Sequence, residues 1–290
     1  MTSWKQSANS LLSRTIGYRL QRAAPPGSMR EQKVVDRLEA VAGRLEKAQV
    51  EFVGAVGKPA ATQATSQFPD DYDDELCEVI RMVRPYTMTS PDKLHALITA
   101  TRYLSRHDVA GAVVECGVWR GGSMHAVART LNGFGDHSRD LYLFDTFEGM
   151  PPPTEKDVRM DGKTAQDLLA GSSKDKTIWA YATLEDVRAG FDTVPYPSER
   201  VHYVAGKVED TIPSGAPESI ALLRLDTDWY DSTRHELEHL YPRLVSGGIL
   251  IIDDYGSWQG AKQATDEFLE QTGARLLMLR AGRGRIAVKP

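Results

Sequence analysis

The chain has 290 residues, 41% of them hydrophobic and 26% charged, and 40 acids against 35 bases leave a formal net charge of −5. That apolar content supports a packed core and excludes wholesale disorder, and the acidic balance argues against a general nucleic-acid binder. Two cysteines, Cys77 and Cys116, make neither a disulfide framework nor a zinc spacing, and neither a membrane-spanning run nor a secretory leader is legible, so a cytoplasmic enzyme is expected.

In chain order, residues 1–30 carry Lys5, Arg14, Arg19, Arg22 and Arg30 and no acid. This basic arm is read as docking on its own protein, or as touching an anionic surface. Over residues 31–57, Val34, Leu38, Val41, Leu45, Ala48 and Phe52 alternate spacings of four and three. Such a heptad seam predicts an amphipathic helix that packs on its own core or pairs with a copy, hence a homodimer or higher homo-oligomer. Residues 58–83 are read as a linker or lid, and residues 84–290 as the catalytic domain. A second irregular stretch at 151–176, rich in Pro, Gly, Ser and charge, is a second candidate lid.

From Ser90 onward helix and strand alternate. Ser90-Pro91-Asp92 is a helix start, with Pro at the first helical position and an acid in the first turn. Strands are expected at 112–116, 141–144, 201–204, 220–225 and 249–252, and helices at 123–131, 184–189, 233–244 and 261–272. The segments 275–279 and 285–288, around Ala-Gly-Arg-Gly, predict a terminal hairpin. Repeated βα units closed by a hairpin give an α/β fold: a doubly wound, mainly parallel sheet with an antiparallel edge and an N-terminal helical extension. In such a sheet the ligand sits at the C-terminal ends of the strands.

Three strand ends carry the chemistry. After the first comes Glu115-Cys-Gly117-Val-Trp-Arg-Gly121-Gly122-Ser123, which brings backbone N–H groups toward a ligand or serves only a tight turn. Its spacing is not G-x-G-x-x-G, which argues against a dinucleotide fingerprint. The second strand ends at Asp145, placed to grip a ribose diol of any nucleoside or to cap the strand. Two later strands end in Asp226-Thr-Asp228 and in Asp253-Asp254. Tips of adjacent strands lie about 4.8 Å apart. Two carboxylates about 4 Å apart repel by roughly 4 kcal/mol at an effective dielectric near 20. Protonation or a bound cation must relieve that, and an all-oxygen set suits Mg²⁺, Mn²⁺ or Ca²⁺ rather than zinc. Trp229, Tyr230 and Tyr255 are candidates for stacking on a ring of the ligand, or for packing. The i, i+4 pair His235 and His239 has no third ligand in view and reads as a structural face.

The run from Val113 to Leu131, Phe144-Asp-Thr-Phe-Glu-Gly-Met-Pro151, Leu225-Asp-Thr-Asp-Trp-Tyr-Asp-Ser-Thr233 and Leu240-Tyr-Pro through Asp253-Asp-Tyr255 resemble the macrocin O-methyltransferase family, over about two-thirds of the chain. The resemblance implies a seven-stranded class I methyltransferase sheet and transfer of a methyl group from S-adenosylmethionine to a hydroxyl of a sugar or glycan, with Mg²⁺ (or Mn²⁺) bound. It implies that Met88, Thr89 and Ser90 hold the methionine end with Glu115, Gly117 and Ser123, that Asp145 takes the ribose hydroxyls, that Val208 and Glu209 lie along adenine, and that Trp119, Gly122 and Thr146 also bind the cofactor. Asp226, Asp253 and Asp254 are the implied metal ligands. Catechol-type relatives place a lysine base three residues after the first metal aspartate. Here that position is Trp229, which leaves the base to a carboxylate, Asp226 first and Asp228 second. The acceptor class is a small glycoside, an oligosaccharide or a glycolipid head group. Two rival readings remain, a nicotinamide-dependent oxidoreductase on the same kind of sheet and a catalytically silent glycan-binding subunit.

Overall fold

A computed structural model describes residues 68–290 apart from residue 175. The basic arm, the heptad seam and the upstream part of the linker lie outside those residues. The first described helix, α1 (Asp74–Val83), falls within the stretch expected to be linker. Asp73 caps it, its carboxylate accepting the Leu76 N–H at 2.8 Å. Leu76, Val79, Ile80 and Val83 then bury against Leu94, Ile98 and Ala126. Ile80 and Val83 are fully enclosed, so this segment is part of the core. The four Asp residues around it masked a helical face in the composition.

The sheet comprises β1 (Ala112–Cys116), β2 (Leu141–Asp145), β3 (Val201–Ala205), β4 (Ile220–Leu225), β5 (Leu244–Ile252), β6 (Leu279–Ala281) and β7 (Gly284–Val288). Their order is β3-β2-β1-β4-β5-β7-β6. β1 to β5 run parallel, and β7 joins β5 antiparallel, as expected. Alternation along the strands feeds two cores. Val113, Leu141, Leu143, Ile249 and Ile251 face α2 (Pro91–Arg106), α3 (Gly122–Gly133) and α5 (Leu184–Phe191). Val114, Cys116, Leu223, Leu225, Leu250 and Ile252 face α7 (Tyr230–Leu240) and α8 (Gln259–Thr272). The chain winds outward in both directions from β1 and β4, so the crevice opens above their C-terminal ends.

Several boundaries differ from expectation. The helix expected to reach residue 244 stops at Leu240, because Pro242 lies in a following 3-10 turn. Leu244 already belongs to β5, which starts earlier than residue 249 and pairs with β4 through a register shift between Ile220 and Leu222. The hairpin pairs only Leu279 to Ala281 with Gly284 to Ile286, outward from a tight turn at Gly282 and Arg283, so residues 275–278 are not strand.

The stretch at 151–176 is moored rather than free. It contains α4 (Ala165–Ala170) and single bridges from Val158 to Thr164 and from Arg159 to Trp258. Its anchor is Asp157, which is fully buried and accepts from Thr154 N–H at 2.6 Å, Thr154 Oγ1 at 2.9 Å and Tyr230 N–H at 2.8 Å. One carboxylate thereby closes its own loop and caps α7. Replacing Asp157 by Ala is expected to destabilise the fold by about 1–3 kcal/mol, because those donors lose their acceptor inside the protein. Urea unfolding measures this, and a loss below about 0.5 kcal/mol would show the anchor is dispensable.

Candidate active site

Gly117 follows β1 with φ +82°, and a Cβ there would lie 2.2 Å from the Asp226 carbonyl oxygen. This close approach brings the β1 loop onto the β4 tip, and only glycine permits it. At Gly122, which opens α3, a Cβ would lie 2.5 Å from the Tyr86 carbonyl oxygen, fixing the residue 86–89 segment against that helix. Gly117→Ala is therefore expected to abolish a folded site, read as loss of the cooperative thermal transition or a fall of many degrees in its midpoint. Unchanged melting would contradict the close packing.

The cleft above these tips is lined by Met88, Thr89, Gly117, Trp119, Ser123, Asp145, Thr146, Val208, Glu209, Asp226, Asp253 and Asp254. Twelve residues from six separate segments of the sequence are thus brought together. Three named with them are not in the lining. Ser90 caps α2 and faces Gly282 in the terminal hairpin. Gly122 packs under Tyr86, and Glu115 is buried beneath the floor, its carboxylate turned to Arg224. Asp145 Oδ2 accepts the backbone N–H groups of Val118 at 2.8 Å and Trp119 at 2.9 Å, and Oδ1 accepts that of Phe147 at 2.8 Å. Those loop donors are engaged on Asp145, so the β1 loop does not offer them as a diphosphate cradle, which counts against the nicotinamide reading. At the far end, Ser232 Oγ donates to Glu209 Oε1 at 2.9 Å.

Asp226, Asp253 and Asp254 each offer a carboxylate oxygen, and the three lie within 4.8 Å of one another, the one such group among the described residues. Two cations that the sequence reading passed over stand among them. Arg224, in the middle of an otherwise apolar strand, is almost wholly buried. Its NH1 bonds Glu115 Oε1 and, at 2.8 Å, Asp226 Oδ2. Its NH2 bonds Asp253 Oδ1 at 2.6 Å and Thr89 Oγ1 at 3.2 Å. Lys93 Nζ, from the first turn of α2, pairs with Asp253 Oδ2. One guanidinium therefore ties the Thr89 wall of the cleft to the acidic cluster.

Burial alone would raise the Asp253 carboxyl, but Arg224 and Lys93 outweigh it and hold that group at about 2. Asp226 and Asp254 are pushed well up, by burial first. For Asp226 the neighbouring Asp253 and Asp254 add to this against the pull of Arg224, and for Asp254 the neighbouring Asp228 and Asp253 add to it. Asp228, at φ +66°, is raised to about 7 by burial and by Asp226. Glu115 is raised to about 7 by burial, against Arg224. Asp254 Oδ2 is buried and meets no donor. An orphaned buried carboxylate oxygen within an all-oxygen cluster is what a hard divalent cation would satisfy, so the residues fit Mg²⁺ or Mn²⁺.

Carboxyls raised to about 7 hold a proton in the folded state that the unfolded chain releases near pH 4, so they favour folding at low pH and lose that contribution as pH rises to 7. In divalent-free buffer the melting temperature is expected to fall between about pH 5 and 8, with a shallower slope in Asp228→Asn. A wild-type slope that is flat or positive would contradict these shifts.

The three aromatics proposed for stacking do not line the cleft. Trp229 is buried, donates to the Pro151 carbonyl at 3.0 Å and packs edge-on against Trp258. Tyr230 is covered by Lys156 and bonds Glu267, and Tyr255 bonds Asp266 under Arg285. All three serve packing. His235 and His239 lie ring against ring with His235 on the Ile212 carbonyl, and belong to no metal cluster among the described residues.

Residues 53–279 match the family profile described as macrocin-O-methyltransferase. The chain belongs to that family. Among its relatives, an 8-demethyl-8-(2,3-dimethoxy-alpha-L-rhamnosyl)-tetracenomycin-C 4'-O-methyltransferase of Streptomyces olivaceus is 36% identical over 59% of this chain and 62% of its own length. Demethyldecarbamoylnovobiocin O-methyltransferase of Streptomyces niveus is 31% identical over 63% of this chain and 67% of its own. Mycinamicin III 3''-O-methyltransferase of Micromonospora griseorubida is 30% identical over 65% of this chain and 72% of its own. The solved structure of the O-methyltransferase NovP superimposes with a TM-score of 0.62 at 28% identity, covering 70% of this chain and 82% of that one. Among the described residues no helix is long and apolar enough to cross a membrane.

Proposed function

We propose that this member of the macrocin-O-methyltransferase family transfers a methyl group from S-adenosylmethionine to a hydroxyl of a sugar-containing acceptor, with a divalent cation at the acidic cluster. The observation that carries the reading is the convergence of Asp226, Asp253 and Asp254 on the floor of the same cleft whose other wall holds Asp145 and the β1 loop. The rhamnosyl group in the name of the Streptomyces olivaceus relative supports the acceptor class.

Met88, Thr89, Gly117, Trp119 and Ser123 form the wall for the methionine end. Asp145 and Thr146 stand at the ribose position, and Val208 and Glu209 at adenine. Ser90, Glu115 and Gly122 act behind that wall by holding it. When bound, the sulfonium donor supplies an electrophilic methyl group and the divalent cation supplies Lewis-acid polarisation of the hydroxyl. A sugar hydroxyl is a weak nucleophile at neutral pH, so its proton must be taken as attack proceeds. Asp226 lies at the mouth of the cluster, partly exposed to the cleft, and its raised affinity for a proton suits it to accept one. Asp228 is the second candidate. Most of the remaining catalysis is alignment of hydroxyl, methyl and sulfur in line, worth up to roughly 7–11 kcal/mol for well-oriented groups.

The test is methyl transfer from isotopically labelled S-adenosylmethionine to a panel of rhamnosides and other deoxysugar glycosides, with Mg²⁺ and with EDTA. Label recovered on a sugar oxygen in Mg²⁺ alone supports the reading. Label appearing on nitrogen or carbon, or undiminished by EDTA, would overturn it.

A further inference from the structure

Lys93 and Arg224 are not equivalent partners of the cluster. Arg224 is held from both ends of its fork by Glu115, Asp226, Asp253 and Thr89, and is 2% exposed. It cannot withdraw without stripping four acceptors at once. Lys93 stands on the cleft wall with 16% of its side chain exposed and hydrogen-bonds Asp253 Oδ2. Its stem runs past the hairpin turn, where a Cβ on Gly282 would lie 3.2 Å from Lys93 Cγ. A four-carbon stem ending in a point charge can swing where a guanidinium fork cannot.

Asp253 therefore has Oδ1 taken by Arg224 and Oδ2 taken by Lys93, whereas Asp254 Oδ2 has no donor. Four carboxyl groups, Glu115, Asp226, Asp253 and Asp254, thus surround the two cations Arg224 and Lys93. A dication entering among them would meet Asp253 already occupied on both oxygens, with an ammonium beside it.

We propose that Lys93 is the resident counter-cation of the acidic cluster: it holds Asp253 in place in the metal-free protein and gives up Asp253 Oδ2 when a divalent cation binds. The inference rests on the divalent-cation reading above. It makes the metal affinity a difference between two cations competing for one carboxylate, so the protein's own lysine sets the concentration at which the site fills. It also leaves the displaced ammonium on the cleft wall that Lys93 lines.

Calorimetric titration of MgCl2 into the full metal-free chain tests this, with wild type, Lys93→Met, Lys93→Gln, Lys93→Arg and Asp254→Asn compared, and with melting temperatures taken in EDTA. Both neutral variants are expected to bind Mg²⁺ about tenfold or more tightly than wild type, because the competing charge is gone. They should also melt lower in EDTA and recover more on adding Mg²⁺ than wild type does. Lys93→Arg, which keeps the charge and forks it, should show none of that gain and bind Mg²⁺ at wild-type affinity or weaker. Equal or weaker Mg²⁺ binding in both neutral variants would overturn the role of Lys93 while leaving the metal site standing. Absence of Mg²⁺ heat in wild type and neutral variants alike, or binding unaffected by Asp254→Asn, would overturn the metal reading and the role of Lys93 with it.

Discussion

Asp226→Asn is expected to lower kcat/KM for methyl transfer by about 10²–10⁴-fold, the usual contribution of a positioned proton acceptor. The amide is nearly isosteric, so the β4 tip and its contact with Gly117 should survive, and S-adenosylmethionine should bind within a few-fold of wild type. The loss should fall mainly on kcat, since the proton leaves the hydroxyl only as the new bond forms. Asp226 also contributes to the acidic cluster, so part of the loss reflects weaker cation binding. Repeating the assay at saturating Mg²⁺ separates the two. Asp228→Asn should cost about tenfold or less. If Asp228→Asn were the inactive variant and Asp226→Asn remained active, the base would be Asp228.

Arg224→Met is expected to destabilise the protein by about 3–5 kcal/mol, the cost of stripping the partner from buried charges. Glu115 beneath the cleft and Asp253 on its floor are almost wholly enclosed, and both lean on this guanidinium. Lysine should not restore the loss, because one ammonium cannot serve NH1 and NH2 acceptors that lie on three different strand ends. Adding Glu115→Gln to Arg224→Met should return part of the stability by removing one of the orphaned charges. Urea unfolding of the single and double variants measures both effects. A loss under 1 kcal/mol, or full rescue by Arg224→Lys, would show that the cluster does not depend on the fork.

The sheet and its acidic strand ends were legible because the signals are local. An apolar run ending in paired acids can be read without knowing its neighbours, and two such runs on adjacent parallel strands bring those acids together. The counter-charges were not legible for the opposite reason. Arg224 stands 109 residues from Glu115 and 29 from Asp253, and Lys93 stands 160 from Asp253. A lone base inside Ile-Ala-Leu-Leu-Arg-Leu was the available hint, since a charge in a fully buried strand needs partners. Composition misled at two places. Residues 151–176 look mobile by their Pro, Gly and Ser, yet Asp157 pins them by contacts that only the fold creates. Trp229, Tyr230 and Tyr255 adjoin the acids in sequence, but the backbone turn at Asp228 and the starts of α7 and α8 send their rings elsewhere.

Titration of S-adenosylmethionine into the purified chain, in Mg²⁺ and again in EDTA, is the deciding experiment. Saturable heat at one site per chain is expected, weakened when Asp145 is replaced by Ala, together with a separate Mg²⁺ heat that Asp254→Asn removes. Absence of S-adenosylmethionine heat under both conditions would contradict it.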